Sequence, residues 1–122
     1  MHRKNIVVMA AVAGIGFATA AYAHPALKTV NPPANGVVSN SLKEVRLTFS
    51  EAVVPAFSGV KLTGNDGKAI VTGPAHLDSK NKKELVVPLK STLANGKYQL
   101  AWYAVASDTH RVTGSYAFTV KK

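Results

Sequence analysis

Tyr98-Gln99-Leu100-Ala101-Trp102-Tyr103-Ala104-Val105 is the run whose reading decides the fold class. It is entered through Asn95-Gly96, a pair that turns a chain sharply because glycine accepts positive φ. Tyr98, Leu100 and Trp102 then recur at every second position, so they share one face of an extended strand. Working back along the chain, Glu44-Val45-Arg46-Leu47-Thr48-Phe49 has the same period: Val45, Leu47 and Phe49 face in, Arg46 and Thr48 out. Leu85, Val87 and Leu89 form another inward row, and Pro88 on the opposite face predicts an edge strand, since proline has no N–H to give a ladder. Val60-Lys61-Leu62 and Ala69-Ile70-Val71 flank Asn65-Asp66-Gly67, a hairpin turn. Ala26 to Val30 is a short first strand, stopped by Asn31-Pro32-Pro33 and Asn35-Gly36. In the last strand Tyr116, Phe118 and Val120 point inward against Ser115, Ala117 and Thr119. About seven short strands with turns every ~8–12 residues predict an all-β fold, an antiparallel Greek-key β-sandwich. The one Trp is expected to pack in its core.

The remainder of the 122 residues reads as a leader. Arg3 and Lys4 precede an uncharged run from Ile6 to Ala20, and Ala21-Tyr22-Ala23 follows, a small-x-small triplet. That is the pattern of a cleaved secretory signal peptide over residues 1–23, leaving one domain over 24–122. Ala18-Thr19-Ala20 offers a second cleavage point, after Ala20. The run is too short and too rich in Ala and Gly for a membrane anchor. Only Arg3 and Lys4 of the 15 Lys and Arg leave with the leader, so the mature chain stays basic against six Asp and Glu. The basic residues scatter among turns and strand faces; Lys80-Asn81-Lys82-Lys83 reads as a solvated loop, and no nucleic-acid partner is expected. Attraction to anionic lipid headgroups would be weak. With no cysteine there is no disulfide framework, so the core must hold the fold unaided.

Cleavage after Ala23 frees His24 as the first residue. An α-amine and the ring Nδ1 of the same histidine close a six-membered chelate around one metal ion, and binding releases the amine proton. Pro25 has no N–H for Cu(II) to displace, so the ion must complete its coordination elsewhere in the fold. Ser107-Asp108-Thr109-His110 supplies the best partners. A carboxylate and an imidazole two positions apart share one side of an extended chain. An amine, two imidazoles and one carboxylate suit tetragonal Cu(II), which also leads the divalent affinity order. Zinc would favour a tetrahedral arrangement, often with thiolates. The predicted metal ligands are therefore His24, Asp108 and His110. His76 is expected to be a solvated loop histidine, at most a weak adventitious site.

These pieces resemble the CopC family of periplasmic copper-binding proteins from His24 to Lys122. The resemblance rests on His24, Asn31-Pro32-Pro33-Ala34-Asn35-Gly36, Glu44 through Glu51, and Trp102 through Asp108-Thr109-His110 to Gly114-Ser115-Tyr116-Ala117-Phe118. It implies an Ig-like β-sandwich or barrel, a Cu(II) site on His24, Asp108 and His110, and a periplasmic role in copper tolerance or delivery. It also implies an inner-membrane CopD-like partner. Some family members carry a Cu(I) site in a Met-rich loop. Here both methionines, Met1 and Met9, lie in the leader, and Cu(I) requires soft donors, so a Cu(II)-only protein is expected. A non-enzymatic, monomeric carrier or buffer is the expected function. The alternatives are an oxidative copper enzyme with a histidine-brace-like site and a metal-free Ig-like interaction module. A Ser107-Asp108-His110 triad is disfavoured, because near-neighbours on one loop rarely bring base and nucleophile together.

Overall fold

A computed structural model describes residues 25–122; the predicted leader and His24 lie outside the described residues. Nine strands form: β1 (Leu27–Asn31), β2 (Val37–Val38), β3 (Glu44–Phe49), β4 (Gly59–Gly64), β5 (Ala69–Ile70), β6 (His76–Asp78), β7 (Asn81–Pro88), β8 (Gly96–Val105) and β9 (Arg111–Val120). A short 3-10 turn, Pro55–Phe57, precedes β4. No described helix is long and apolar enough to cross a membrane.

The strands make two sheets, β1-β3-β7-β6 and β2-β9-β8-β4-β5. The chain crosses between them at β1–β2, β2–β3, β3–β4, β5–β6 and β7–β8, so the sandwich is interlocked, in the order of an immunoglobulin-like domain. Pairing is antiparallel except where β2 runs parallel to β9. Tyr98, near the start of β8, donates its hydroxyl to the Ala94 carbonyl at 2.6 Å. That is the tyrosine corner seen in immunoglobulin-like sandwiches.

The inward rows meet between the sheets. Val45, Leu47 and Phe49, with Leu85 and Val87 beside them on the same sheet, face Leu62, Leu100, Trp102, Phe118 and Val120 of the other. Burying each such side chain contributes about 1.5–3 kcal/mol before chain entropy is charged against it. Trp102 is a core residue, as expected. Its ring meets Phe49 edge-on with centroids 5.5 Å apart and lies across Gly114, its register partner on β9.

One expectation of strand position is corrected. β7 is not an edge strand: β3 and β6 flank it, and Pro88 is its last residue, beyond Val86, where pairing with β6 stops at His76. The missing N–H therefore falls at the strand end, where it costs no central ladder bond. Val86 lies between the inward residues Leu85 and Val87 yet is itself buried, on the outer face beside its register neighbours Arg46 and His76. On that face Arg46 bonds Glu44, Asp78 (3.1 Å) and Glu84 (2.9 Å). The bonds to Asp78 and then Glu44 raise the guanidinium pKa, and the Arg46 bond is the main cause holding Asp78 below the usual carboxylate range.

Candidate metal centre

The β8–β9 hairpin is the longest among the described residues, and its tip, Ala106–His110, stands at one end of the sandwich. The tip is closed by its own backbone. The Ala106 N–H donates to the His110 carbonyl at 3.2 Å, and the Thr109 N–H to the Ala106 carbonyl at 2.9 Å. Thr109 has φ +70°, a left-handed conformation that a β-branched residue rarely adopts.

This turn, not strand alternation, brings Asp108 and His110 together. Asp108 Oδ1 accepts the His110 backbone N–H at 3.1 Å, an Asx-turn in which an acidic side chain stands in for a backbone carbonyl. Its other oxygen, Oδ2, lies 3.2 Å from His110 Nδ1. The expectation that the two groups meet is met, but through a local turn with a left-handed residue between them. The His110 N–H is the largest cause holding the Asp108 carboxyl below its ordinary range; burial opposes it and the imidazole reinforces it. Both side chains are half exposed, 42% for Asp108 and 51% for His110.

The first described residues are tied to this same end. The Ala26 N–H donates to Ser50 Oγ and the Ser50 N–H to the Ala26 carbonyl, each at 2.8 Å. Three residues beyond Ser50, Val53 bridges to Ala106, and the Val54 N–H donates to the Val105 carbonyl at 2.8 Å. Ser58, buried, braces the junction: its hydroxyl donates to the Val54 carbonyl and accepts the Val105 N–H. Sequence reasoning missed Ser58, because a lone serine after a 3-10 turn carries no periodic signal.

His24 lies outside the described residues, and among these no group of three or more His, Cys, Asp or Glu side chains is gathered as a metal site would need. Asp108 and His110 are the pair that the fold itself assembles. His76 is exposed, as expected, but opens β6 instead of lying in a loop; its Nδ1 stands 3.5 Å from the Pro74 carbonyl. A hollow of about 510 Å³, lined in part by Asn65, Asp66, Asn95 and Tyr98, lies at the opposite end of the sandwich.

The model of the CopC domain matches residues 27–121. The chain belongs to the CopC family. Copper resistance protein C of Escherichia coli is 37% identical over 124 residues, covering 97% of this chain and 96% of that protein. The crystal structure of CopC from Methylosinus trichosporium OB3b superposes with a TM-score of 0.73 at 34% identity, over 80% of this chain and 94% of that one. PcoC, described as a methionine-rich copper resistance protein from Escherichia coli, superposes with a TM-score of 0.71 at 36% identity, over 81% of this chain and all of that one. These CopC structures agree with the sandwich described above.

Proposed function

We propose that this CopC chain is an exported periplasmic Cu(II) carrier or buffer serving copper tolerance or delivery. One ion is held per mature chain by the His24 amine and ring, Asp108 and His110. The observation that carries this reading is the 3.2 Å gap between Asp108 Oδ2 and His110 Nδ1. Two donors each ~2.0–2.2 Å from one ion, at right angles, stand about 3 Å apart. The pair therefore fits neighbouring corners of the tetragonal plane that Cu(II) prefers. In the tautomer that carries its hydrogen on Nδ1 the ring bridges this gap as a hydrogen bond, whereas a metal on Nδ1 requires the other tautomer, with the hydrogen on Nε2. Asp108, kept ionised by the turn, has no proton to lose.

The anchoring of Ala26 at Ser50, at the same end as the tip, supports a role for the first mature residue. The three-point donor set is complete only after cleavage at Ala23, which ties binding to export. Met1 and Met9 lie in the leader and there is no cysteine, so the mature chain offers no soft donor and the site is Cu(II)-only. Half-exposed ligands suit an ion that is to be handed on, here as a monomer serving an inner-membrane CopD-like partner. No catalytic step is assigned.

The test is a Cu(II) titration followed by EPR, comparing protein that begins at His24 with protein carrying one extra N-terminal Ala. Collapse of affinity with a changed spectrum establishes the amine as a ligand. Equal binding by both forms would overturn the amine–imidazole chelate.

A further inference from the structure

β2 covers only the last part of β9. Val37 and Val38 pair with Thr119 and Val120, and the Asn35 N–H reaches the Ala117 carbonyl at 2.6 Å. From Arg111 to Ser115, among the described residues, no strand lies beyond β9 in its sheet. The direction of the backbone groups there follows from both ends. Ala117 turns its carbonyl, and Thr119 its N–H, toward the β2 side, and groups two residues apart on a strand point the same way. At the other end stands Val105, the register partner of Arg111. Its N–H donates to Ser58 Oγ and its carbonyl accepts the Val54 N–H, both away from β9, so Val105 and Arg111 are a non-hydrogen-bonded pair. Arg111, Thr113 and Ser115 accordingly turn their N–H and C=O groups outward, and all three residues are exposed. This open ladder begins one residue after His110. Such an edge is a template for another strand.

Charge selects the occupant. The five strands of this sheet carry Lys61, Lys97 and Arg111 and no Asp or Glu, whereas the other sheet carries Glu44, Asp78 and Glu84 on its strands. Among the described residues none of these three cations enters an ion pair. The carboxylates nearest in the chain, Asp66 and Asp108, lie in turns at the two ends of the sheet: Asp66 Oδ1 accepts the Lys68 N–H, and both oxygens of Asp108 meet His110. On the outer face Arg111 lies 4.9 Å over the Tyr103 ring, and with Lys61 it borders a shallow hollow of about 500 Å³ that Thr113 and Ser115 also line. A residue directly opposite Thr113 on an added antiparallel strand projects its side chain on this same face. A second copy of the chain would bring together two sheets that lack carboxylates; an acidic strand meets opposite charge.

We propose that the Arg111–Ser115 edge of β9 takes up an extended acidic segment of a partner protein as an additional antiparallel strand, with its carboxylates over the hollow between Lys61 and Arg111. Main-chain bonds hold the segment, and the cations select its charge. The surface is distinct from the metal ligands and adjoins them through His110.

The experiment uses the copper-free exported form obtained by expressing the full chain, so its outcome is independent of the copper assignment. The probe is the peptide Glu-Val-Glu-Val-Glu, acetylated and amidated, titrated into the protein and followed by Trp102 emission, since Trp102 and Gly114 line the same hollow. Amide exchange at Thr113 and Ser115 is expected to slow on binding. In an antiparallel pair the residues whose side chains share the outer face are those whose N–H groups meet β9. N-methylation of the three Glu residues should therefore abolish binding, and N-methylation of the two Val residues should leave it. Lys-Val-Lys-Val-Lys is expected to bind at least about tenfold more weakly, and Arg111→Gln to lower affinity for the acidic peptide about two- to fivefold, the range of an exposed ion pair. Thr113→Pro removes an outward N–H that the β8–β9 ladder does not use and should weaken binding at least about fivefold, the scale of one main-chain bond. Melting curves check that each variant is folded. Equal binding of the parent and Glu-methylated peptides would reduce the effect to charge and overturn the proposal, as would equal binding of the Lys peptide or no binding at millimolar peptide. A dimer of the free chain in sedimentation, lost in Thr113→Pro, would assign the edge to a second copy and overturn it as well.

Discussion

Gly114→Ala is the substitution that most directly tests how the metal-bearing hairpin is held to the core. Gly114 faces inward on β9, opposite Trp102 on β8. A Cβ built on it would lie 2.5 Å from Trp102 Cζ2, 2.7 Å from Cε2 and 2.8 Å from Nε1. Carbon atoms in contact rest ~3.5–4.0 Å apart, so the ring would have to retreat by about 1 Å. It has little room to do so: Trp102 is 9% exposed and its ring packs at 65° to that of Phe49, with centroids 5.5 Å apart. Overpacking a core in this way costs about 1–3 kcal/mol. Alanine recovers roughly 0.5–1 kcal/mol because it is less free than glycine in the unfolded chain. The expected net loss is about 1–2 kcal/mol, read as a lower guanidinium midpoint with unchanged slope. Trp102 is the only tryptophan, so its emission reports the transition without labelling. The refuting comparison uses Trp102→Phe, which lacks the ring atoms named above. Followed by circular dichroism, Gly114→Ala in that background should cost at least ~1 kcal/mol less than in the native one. Equal costs in the two backgrounds, or no cost in either, would show that Trp102 does not rest on Gly114.

Three further outcomes are expected. Asp108→Asn keeps an oxygen to accept the His110 N–H but removes the charge. The tip should stay closed while Cu(II) affinity, measured by competition with a chelator, falls at least about tenfold, the scale of losing a ligand-orienting carboxylate. Thr109→Pro fixes φ near −65° where the tip has +70° and deletes the N–H that bonds Ala106. It should weaken Cu(II) binding by more than tenfold, on the same scale, with the far-ultraviolet circular dichroism of the sandwich unchanged. Asp78 is depressed in the folded state, chiefly by Arg46, so its contribution to stability is present above the ordinary carboxylate pKa of ~3.9 and is lost as pH falls through the lower folded value. Melting temperature should therefore drop steeply below about pH 4 in the native protein. In Arg46→Gln, whose Asp78 titrates closer to its ordinary value, the decline should be shallower. Parallel curves would refute that assignment.

The core was legible because period 2 is a direct consequence of strand geometry. Val45, Leu47 and Phe49, then Tyr98, Leu100 and Trp102, are buried where alternation places them. The pattern fails where burial comes from something other than the partner sheet. Val86 breaks the alternation of β7, because the outer face beside Arg46 and His76 is itself covered. Pro88 misled for a related reason. Sequence shows that an N–H is missing but not at which rung of the ladder, and at the last rung a central strand tolerates it. β2 was invisible, since two valines pairing parallel to β9 have no pattern long enough to read.

The candidate site shows a different limit. Asp108 and His110 were paired on the assumption of an extended chain, and they do meet, but at a turn whose central residue is left-handed. What encodes the meeting is the aspartate itself. Its Oδ1 takes the His110 N–H and closes the turn, and closing the turn carries the imidazole to its Oδ2. One carboxylate thus builds the loop with one oxygen and offers the other to an ion, so Asp108→Ala would remove the scaffold and the donor together. A loss of copper in that variant would not distinguish the two roles. Asp108→Asn separates them, because the amide oxygen can still close the turn, and so the asparagine variant carries the argument about the metal.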